Sequence, residues 1–102
     1  MSQNFVYLLR PRRENLVATL TGAEERLIGS HFEYLKALLH AGHIVLAGPC
    51  TDGAFSLVVL RAGSEAQASE LMKADPAVAE GLFSTELHAF QLALLDSGVT
   101  RT

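Results

Sequence analysis

The chain has only one cysteine, Cys50, so no intrachain disulfide can form. A reducing compartment fits this, and a cytoplasmic protein is expected. It also lacks an excess of positive charge. Eight Lys and Arg face eleven Asp and Glu, for a net charge of −3. That argues against phosphate-backbone binding, so no nucleic-acid partner is expected. The one local cluster, "RPRR" at 10–13, reads as a solvated loop. No apolar run approaches the ~18 residues of a membrane span. In "MSQNFVYLLRPRR" the charges follow the apolar run, the reverse of a secretory signal. There is no phosphate loop and no dinucleotide fingerprint. His40 and His43 frame Gly42, but no Cys or acid shares a metal-like spacing with them. No cofactor and no metal are therefore expected.

What the chain does have is apolar mass. Of its 102 residues, 49% are hydrophobic and 19% charged, which suits one folded domain with a single core. "FVYLLR" at 5–10 reads as a strand stopped by Pro11. Thr21 and Glu24 form a capping box that opens a helix running to about Ala41, with Gly42 as its left-handed cap. "HIVLAGP" (43–49) and "AFSLVVLR" (54–61) read as strands joined by a turn at Asp52-Gly53. Ser64 and Gln67 repeat the capping pattern and open a second helix reaching about Ala74, with Ala68, Leu71 and Met72 inward. "DPAVAEGLF" predicts a short helical turn, and "STELHAFQLALL" (84–95) a last strand. The domain spans 1–96, with 97–102 as a flexible tail. No repeat or low-complexity segment interrupts it.

The order β-α-β-β-α-β is that of the ferredoxin-like split unit, an α+β fold. It predicts an antiparallel four-stranded sheet with both helices on one face. The strands, however, are apolar on both faces, where alternation is expected for a half-exposed sheet. The uncovered face measures about 320 Å² from strand length and spacing. That is near the largest apolar patch a soluble monomer shows, so a homodimer formed through the sheet faces is expected.

His31 lies on the apolar stripe of the first helix, with Leu27, Leu35 and Leu38. It is either a hydrogen-bonded core histidine or an acid–base group bordering a pocket. A carboxylate on one ring nitrogen would fix its tautomer and leave the other free to exchange protons. Asp75 precedes Pro76 and suits the N-cap of 76–81, and it could equally face a pocket. Gly48-Pro49 ends a strand, and Gly48 would let a ligand approach the backbone. Glu86 and His88 share one face of the last strand. If that face lines the pocket, His88 is a second acid–base candidate; otherwise it is a surface or interface residue. Cys50 reads as a turn thiol.

The runs "HFEYLKALLHAGHIVLAGP" and "SEAQASELMKADPAVAEG", with His31, Gly48-Pro49, Asp75-Pro76 and Gly81 in that order, resemble the YCII-related (YciI-like) family of dimeric α+β barrels. The resemblance covers about Phe5 to Leu95. It implies a ferredoxin-like protomer, a dimer through the sheets, and a pocket between sheet and helices. It also implies a catalytic histidine–aspartate pair, which falls on His31 and Asp75. Taken with the reading of the residues, Gly48, Pro49, Pro76 and His88 are the expected contacts of a small-molecule substrate.

The leading expectation is a cofactor-free enzyme performing proton transfer in an isomerisation, elimination or hydrolysis. A non-catalytic ligand-binding or interaction module is the alternative. A cofactor-independent oxygenase is a third reading, by fold analogy alone.

Overall fold

A computed structural model of the chain describes residues 3–96 and Gly98. The elements are β1 (Gln3–Pro11), a 3-10 turn (Val17–Thr19), α1 (Gly22–His40), β2 (Ile44–Pro49), β3 (Ser56–Ala62), α2 (Glu65–Lys73), the single-turn α3 (Pro76–Ala79) and β4 (Phe83–Phe90). The strands form one antiparallel sheet in the order β2-β3-β1-β4, with the helices on one face.

β1 is central, and its burial alternates strictly. Phe5, Tyr7 and Leu9 are buried under the helices, while Val6 and Leu8 point to the other face. Strand registers put Val58 and Leu60 beside them on the helix-covered face. Ala68 and Met72 of α2 close that core from above. Fully burying each large apolar side chain contributes roughly 1.5–3 kcal/mol, so this ladder holds the sheet to the helices.

The caps form as the residue types dictate. The Glu24 amide donates to Thr21 Oγ1 at 3.1 Å, and the Thr21 amide donates to Glu24 at 2.9 Å. Gly42 adopts φ 85° after α1, a left-handed conformation that favours glycine. At α2, Ser64 accepts from the Gln67 amide, but Gln67 reaches Gly63 rather than Ser64. The expected box is thus completed one residue early.

The arginines of "RPRR" are exposed, and two of them are also paired. Arg13 donates to both carboxylate oxygens of Glu24 at 2.9 Å and to the Thr19 carbonyl at 3.0 Å. It straps the connection after β1 to the start of α1. Arg10 reaches across to Glu86 on β4 at 2.9 Å.

β4 is shorter than its apolar run suggests. Its ladder to β1 ends at Asn4↔Phe90, and among the described residues β1 is its sole neighbour and Gln91 to Leu95 have no partner strand. Leu94 is 94% exposed there. The expected tail 97–102 lies, apart from Gly98, outside the described residues. Among the described residues no helix is long and apolar enough to cross a membrane.

Candidate active site

The opposite face of the sheet carries Val6, Leu8, Leu46, Leu57 and Val59, with Arg10, Arg61, Glu86 and His88 around them. The candidate site is on the helix-covered side, where three elements meet. α1 carries His31 on the same side as Leu27, Leu35 and Leu38, one helical turn from its neighbours. α2 ends at Lys73 and α3 begins at Pro76, so Asp75 occupies the knee between them. β1 brings Tyr7 beneath that knee on its inward face.

Asp75 is fully buried and is the one buried charged residue among the described residues. Every donor around it is accounted for. His31 Nδ1 lies 2.7 Å from Oδ1 and 2.8 Å from Oδ2. The Tyr7 hydroxyl donates to Oδ2 at 2.9 Å, and the Ala77 amide donates to Oδ1 at 3.0 Å. An ionised carboxylate only accepts, so His31 Nδ1 must carry the proton. In the neutral imidazole this leaves Nε2 with a free lone pair, and Nε2 makes no hydrogen bond among the described residues. Capping and pairing are therefore not alternatives for Asp75, since one oxygen caps α3 while both face the imidazole.

Tyr7 was not singled out by sequence. Its signal was the β1 alternation, which places it between Phe5 and Leu9 on the covered face. A phenol there needs a buried partner. Burial pushes the Tyr7 hydroxyl well above its ordinary pKa, and the Asp75 charge and hydrogen bond push it further the same way. Tyr34 is raised too, by burial first and then by the Asp75 charge. Its hydroxyl donates to the Leu71 carbonyl at 2.7 Å and ties α1 to α2.

The imidazole opens onto a cleft of about 990 Å³ between α1 and the β2–β3 edge. The His31 side chain is 14% exposed there. Ile28, Phe32 and Leu35 form the helical wall; Ile44, Ala47, Gly48 and Pro49 form part of the strand wall. Phe83 closes the floor beside His31, its ring 6.4 Å away and tilted by 45°. Phe32 and Leu39 are exposed because α1 stands away from β2 along this cleft.

Gly48 and Pro49 thus share a cleft with His31. Cys50 is half-buried at the same rim. Pro76 does not line the cleft; it occupies the first position of α3 behind Asp75. His88 is not at this site either. It pairs in register with Val6, on the opposite face, and bonds to Glu86 at 3.0 Å. β4 alternation carries Leu87 to the covered side and sends His88 out. No group of three or more metal-ligating side chains occurs among the described residues.

A family model described as the YCII-related domain matches residues 4–90. Among solved structures, the chain is similar to 5-chloro-2-hydroxyhydroquinone dehydrochlorinase (TftG) from Burkholderia phenoliruptrix AC1100, in complex with 2,5-dihydroxybenzoquinone. The two share 20% identity with a TM-score of 0.64, over 85% of this chain and 93% of that one. At that identity the likeness speaks for the fold. No curated protein matches the chain.

Proposed function

Because the chain belongs to the YCII-related family, we propose that it is an enzyme that moves protons on a small organic molecule, with His31 as general acid/base and Asp75 as its orienting partner. The observation that carries this reading is the fully buried Asp75 carboxylate gripping His31 Nδ1 with both oxygens while Nε2 is left for the cleft. In such a pair Nε2 takes a proton from a C–H or O–H of the substrate. The electrons of that bond move into a new double bond, and a leaving group departs with its own pair. Asp75 then holds the Nδ1–H of the imidazolium. General acid–base catalysis of this kind contributes about 10²–10⁴-fold. Tyr7 acts through Asp75, fixing the carboxylate rotamer from below. The reaction needs no metal or organic cofactor.

Among isomerisation, elimination and hydrolysis, elimination is favoured by the fold relative, whose name specifies a dehydrochlorination. The setting is cytoplasmic, in keeping with the single free thiol.

The active unit is a homodimer formed through the uncovered sheet faces. Val6, Leu8, Leu46 and Leu57 offer a self-complementary apolar patch there, around the already buried Val59 and rimmed by both charge signs.

The test follows solvent deuterium into a panel of enolisable ketones and chlorinated hydroquinones by NMR. The expected result is exchange or chloride release by the native protein, lost in His31→Gln. Ligand affinity in that variant should stay within about tenfold, or ~1.4 kcal/mol. A binding module of the same fold is the alternative, favoured by the breadth of the cleft. It predicts that His31→Gln alters affinity and that no compound turns over.

A further inference from the structure

Among the described residues, Ser56 is the one polar side chain that the helix-covered face of the sheet turns into the cleft. It opens β3, directly opposite buried Leu9 on β1 and opposite Pro49 on β2. Residues so paired share a face, which puts the Ser56 hydroxyl on the side of His31. Ser56 is half-buried, and its hydroxyl makes no hydrogen bond among the described residues, whereas that of Ser64 caps α2. The sheet rows also fix where it stands relative to the imidazole. Two residues before Leu9 is Tyr7, whose hydroxyl reaches Asp75 and through it His31. Two residues after Leu9 is Pro11, paired with Phe83, whose ring lies 6.4 Å from that of His31. The imidazole therefore spans the Leu9 row, which is the row of Ser56. Ser56 stands one strand to the side of β1 and two from β4, about 5–10 Å at ordinary strand spacing.

The charged groups nearby are committed elsewhere. Lys36 pairs with Glu33 and lies over the Phe32 ring, 5.2 Å from its centre. Arg61 is in register with Asn4, on the sheet face away from the helices. Asp75 lies fully buried behind the imidazole. An anionic ligand beside His31 meets the Asp75 charge and no free cation, which disfavours it. We infer that the cleft takes an uncharged, largely apolar carbonyl compound, and that Ser56 is a further catalytic residue that donates to the carbonyl oxygen while His31 Nε2 faces the neighbouring C–H. This rests on the acid–base reading of His31. Nε2 takes the proton, the C–H pair forms a C=C bond, and the carbonyl pair moves onto the oxygen, where the Ser56 O–H meets the new negative charge. Return of the proton from the imidazolium to carbon, or departure of a leaving group with its own pair, completes the turnover. Apolar walls around the oxygen exclude water and strengthen that single hydrogen bond.

The experiment uses three probes of similar shape: 2-tetralone, tetralin and tetralin-2-carboxylate. Binding to the intact protein is followed by NMR shifts of the His31 ring and of the cleft methyl groups. Solvent deuterium uptake beside the ketone carbonyl is read in the same samples. The ketone should bind more tightly than the carboxylate. In Ser56→Ala its affinity should fall about three- to tenfold, the loss of one hydrogen bond, while that of tetralin stays as it is. Exchange at saturating ketone should fall about ten- to a hundredfold in that variant. Ser56→Thr, which keeps the hydroxyl, should restore both, with unchanged circular dichroism in each variant. An undiminished ketone affinity in Ser56→Ala, an equal loss for ketone and tetralin, tighter binding of the carboxylate, or no ketone binding at millimolar concentration would each overturn the inference. The two readings fail separately. Native exchange that is lost in His31→Gln but unchanged in Ser56→Ala removes Ser56 from the chemistry and leaves His31 in place. Ketone that binds through Ser56 yet exchanges no deuterium in the native protein overturns the acid–base reading of His31, and with it the catalytic part of the inference, and leaves Ser56 as a ligand contact.

Discussion

Asp75→Asn is the substitution that most directly probes the candidate site, because it preserves shape and changes only which atoms donate. In the native protein the carboxylate accepts from His31 Nδ1, the Tyr7 hydroxyl and the Ala77 amide. An asparagine can be placed in two ways. With its oxygen at the Oδ2 position, it accepts from Tyr7 and His31, but its NH₂ then faces the Ala77 N–H, 3.0 Å away. Two buried donors facing each other cost about 1–3 kcal/mol. With its oxygen at the Oδ1 position, the cap on α3 survives and the NH₂ points at Tyr7 and His31. The Tyr7 hydroxyl can rotate to accept. His31 Nδ1 can accept as well, provided its proton moves to Nε2.

The second placement is therefore favoured by about 1–3 kcal/mol, or roughly 5–150-fold, over the first. The variant should fold, with His31 in the opposite tautomer. Three hydrogen bonds to a charged group become neutral ones, at about 1 kcal/mol each, so stability should fall by roughly 2–4 kcal/mol. Proton abstraction by Nε2 should fall about 10²–10⁴-fold, because that nitrogen now donates. Long-range ¹⁵N–¹H spectra of the ring read the tautomer directly, with no substrate needed. The expected result is Nδ1–H in the native protein and Nε2–H in Asp75→Asn, at a pH where the ring is neutral. Nε2–H in the native protein, or an unchanged tautomer in a folded variant, would reduce Asp75 to a helix cap.

Alkaline titration should show both tyrosines resisting ionisation. The Tyr7 pKa is raised in the fold, so its contribution to stability is complete below the ordinary value of ~10 and lost above it. The phenolate absorbance of Tyr7 should therefore appear together with loss of the circular dichroism signal; a phenolate rise near pH 10 in a still-folded protein would contradict its burial. At the acid end, hydrogen bonds from Arg13 and from the Thr21 amide hold Glu24 down at a pKa of about 2. Its contribution is present above the ordinary carboxylate range and is lost as pH falls toward about 2, so Glu24→Gln should flatten the melting-temperature profile between pH 5 and 2. Leu57→Asp and Val58→Asp should differ in kind, although the residues are adjacent. Leu57 faces away from the helices, so its variant should remain folded and run as an 11.0 kDa monomer by light scattering, while the native protein should run as a dimer. Val58 is 1% exposed beneath the helices, and its variant should not fold, by circular dichroism.

Local signals in the chain carry most of the fold. Thr21 with Glu24, Gly42, Asp52-Gly53, Ser64 and Asp75-Pro76 each satisfy specific backbone groups, so the element order follows from them. The length of β4 was not legible in the same way. Its apolar run continues to Leu95, but strand length is set by a partner, and β1 supplies one only to Phe90. The face of His88 was undecidable for a related reason. A one-residue difference in register reverses every side chain on a strand, and nothing local to β4 fixes that register. Tyr7 escaped notice because an aromatic in a strand reads as core; its role depends on an acid 68 positions away in sequence.

Asp75 shows why the histidine–aspartate contact was easier to anticipate than its surroundings. A carboxylate has about four acceptor sites, and here all are engaged: the Ala77 amide, the Tyr7 phenol, and the imidazole on both oxygens. Capping orients the side chain at the knee of α2 and α3, which lies against α1 where His31 emerges. An acid fixed by the backbone on one side is pre-organised toward the imidazole on the other, with little rotamer freedom left to lose. The local rule that makes Asp-Pro a helix start thus also positions the acid for chemistry. That coupling has a consequence for substitutions. Changes at Pro76 or Ala77, which never touch the cleft, should disturb His31 through the cap, whereas changes at Gly48 or Pro49 should alter ligand binding and leave the His31 tautomer as it is.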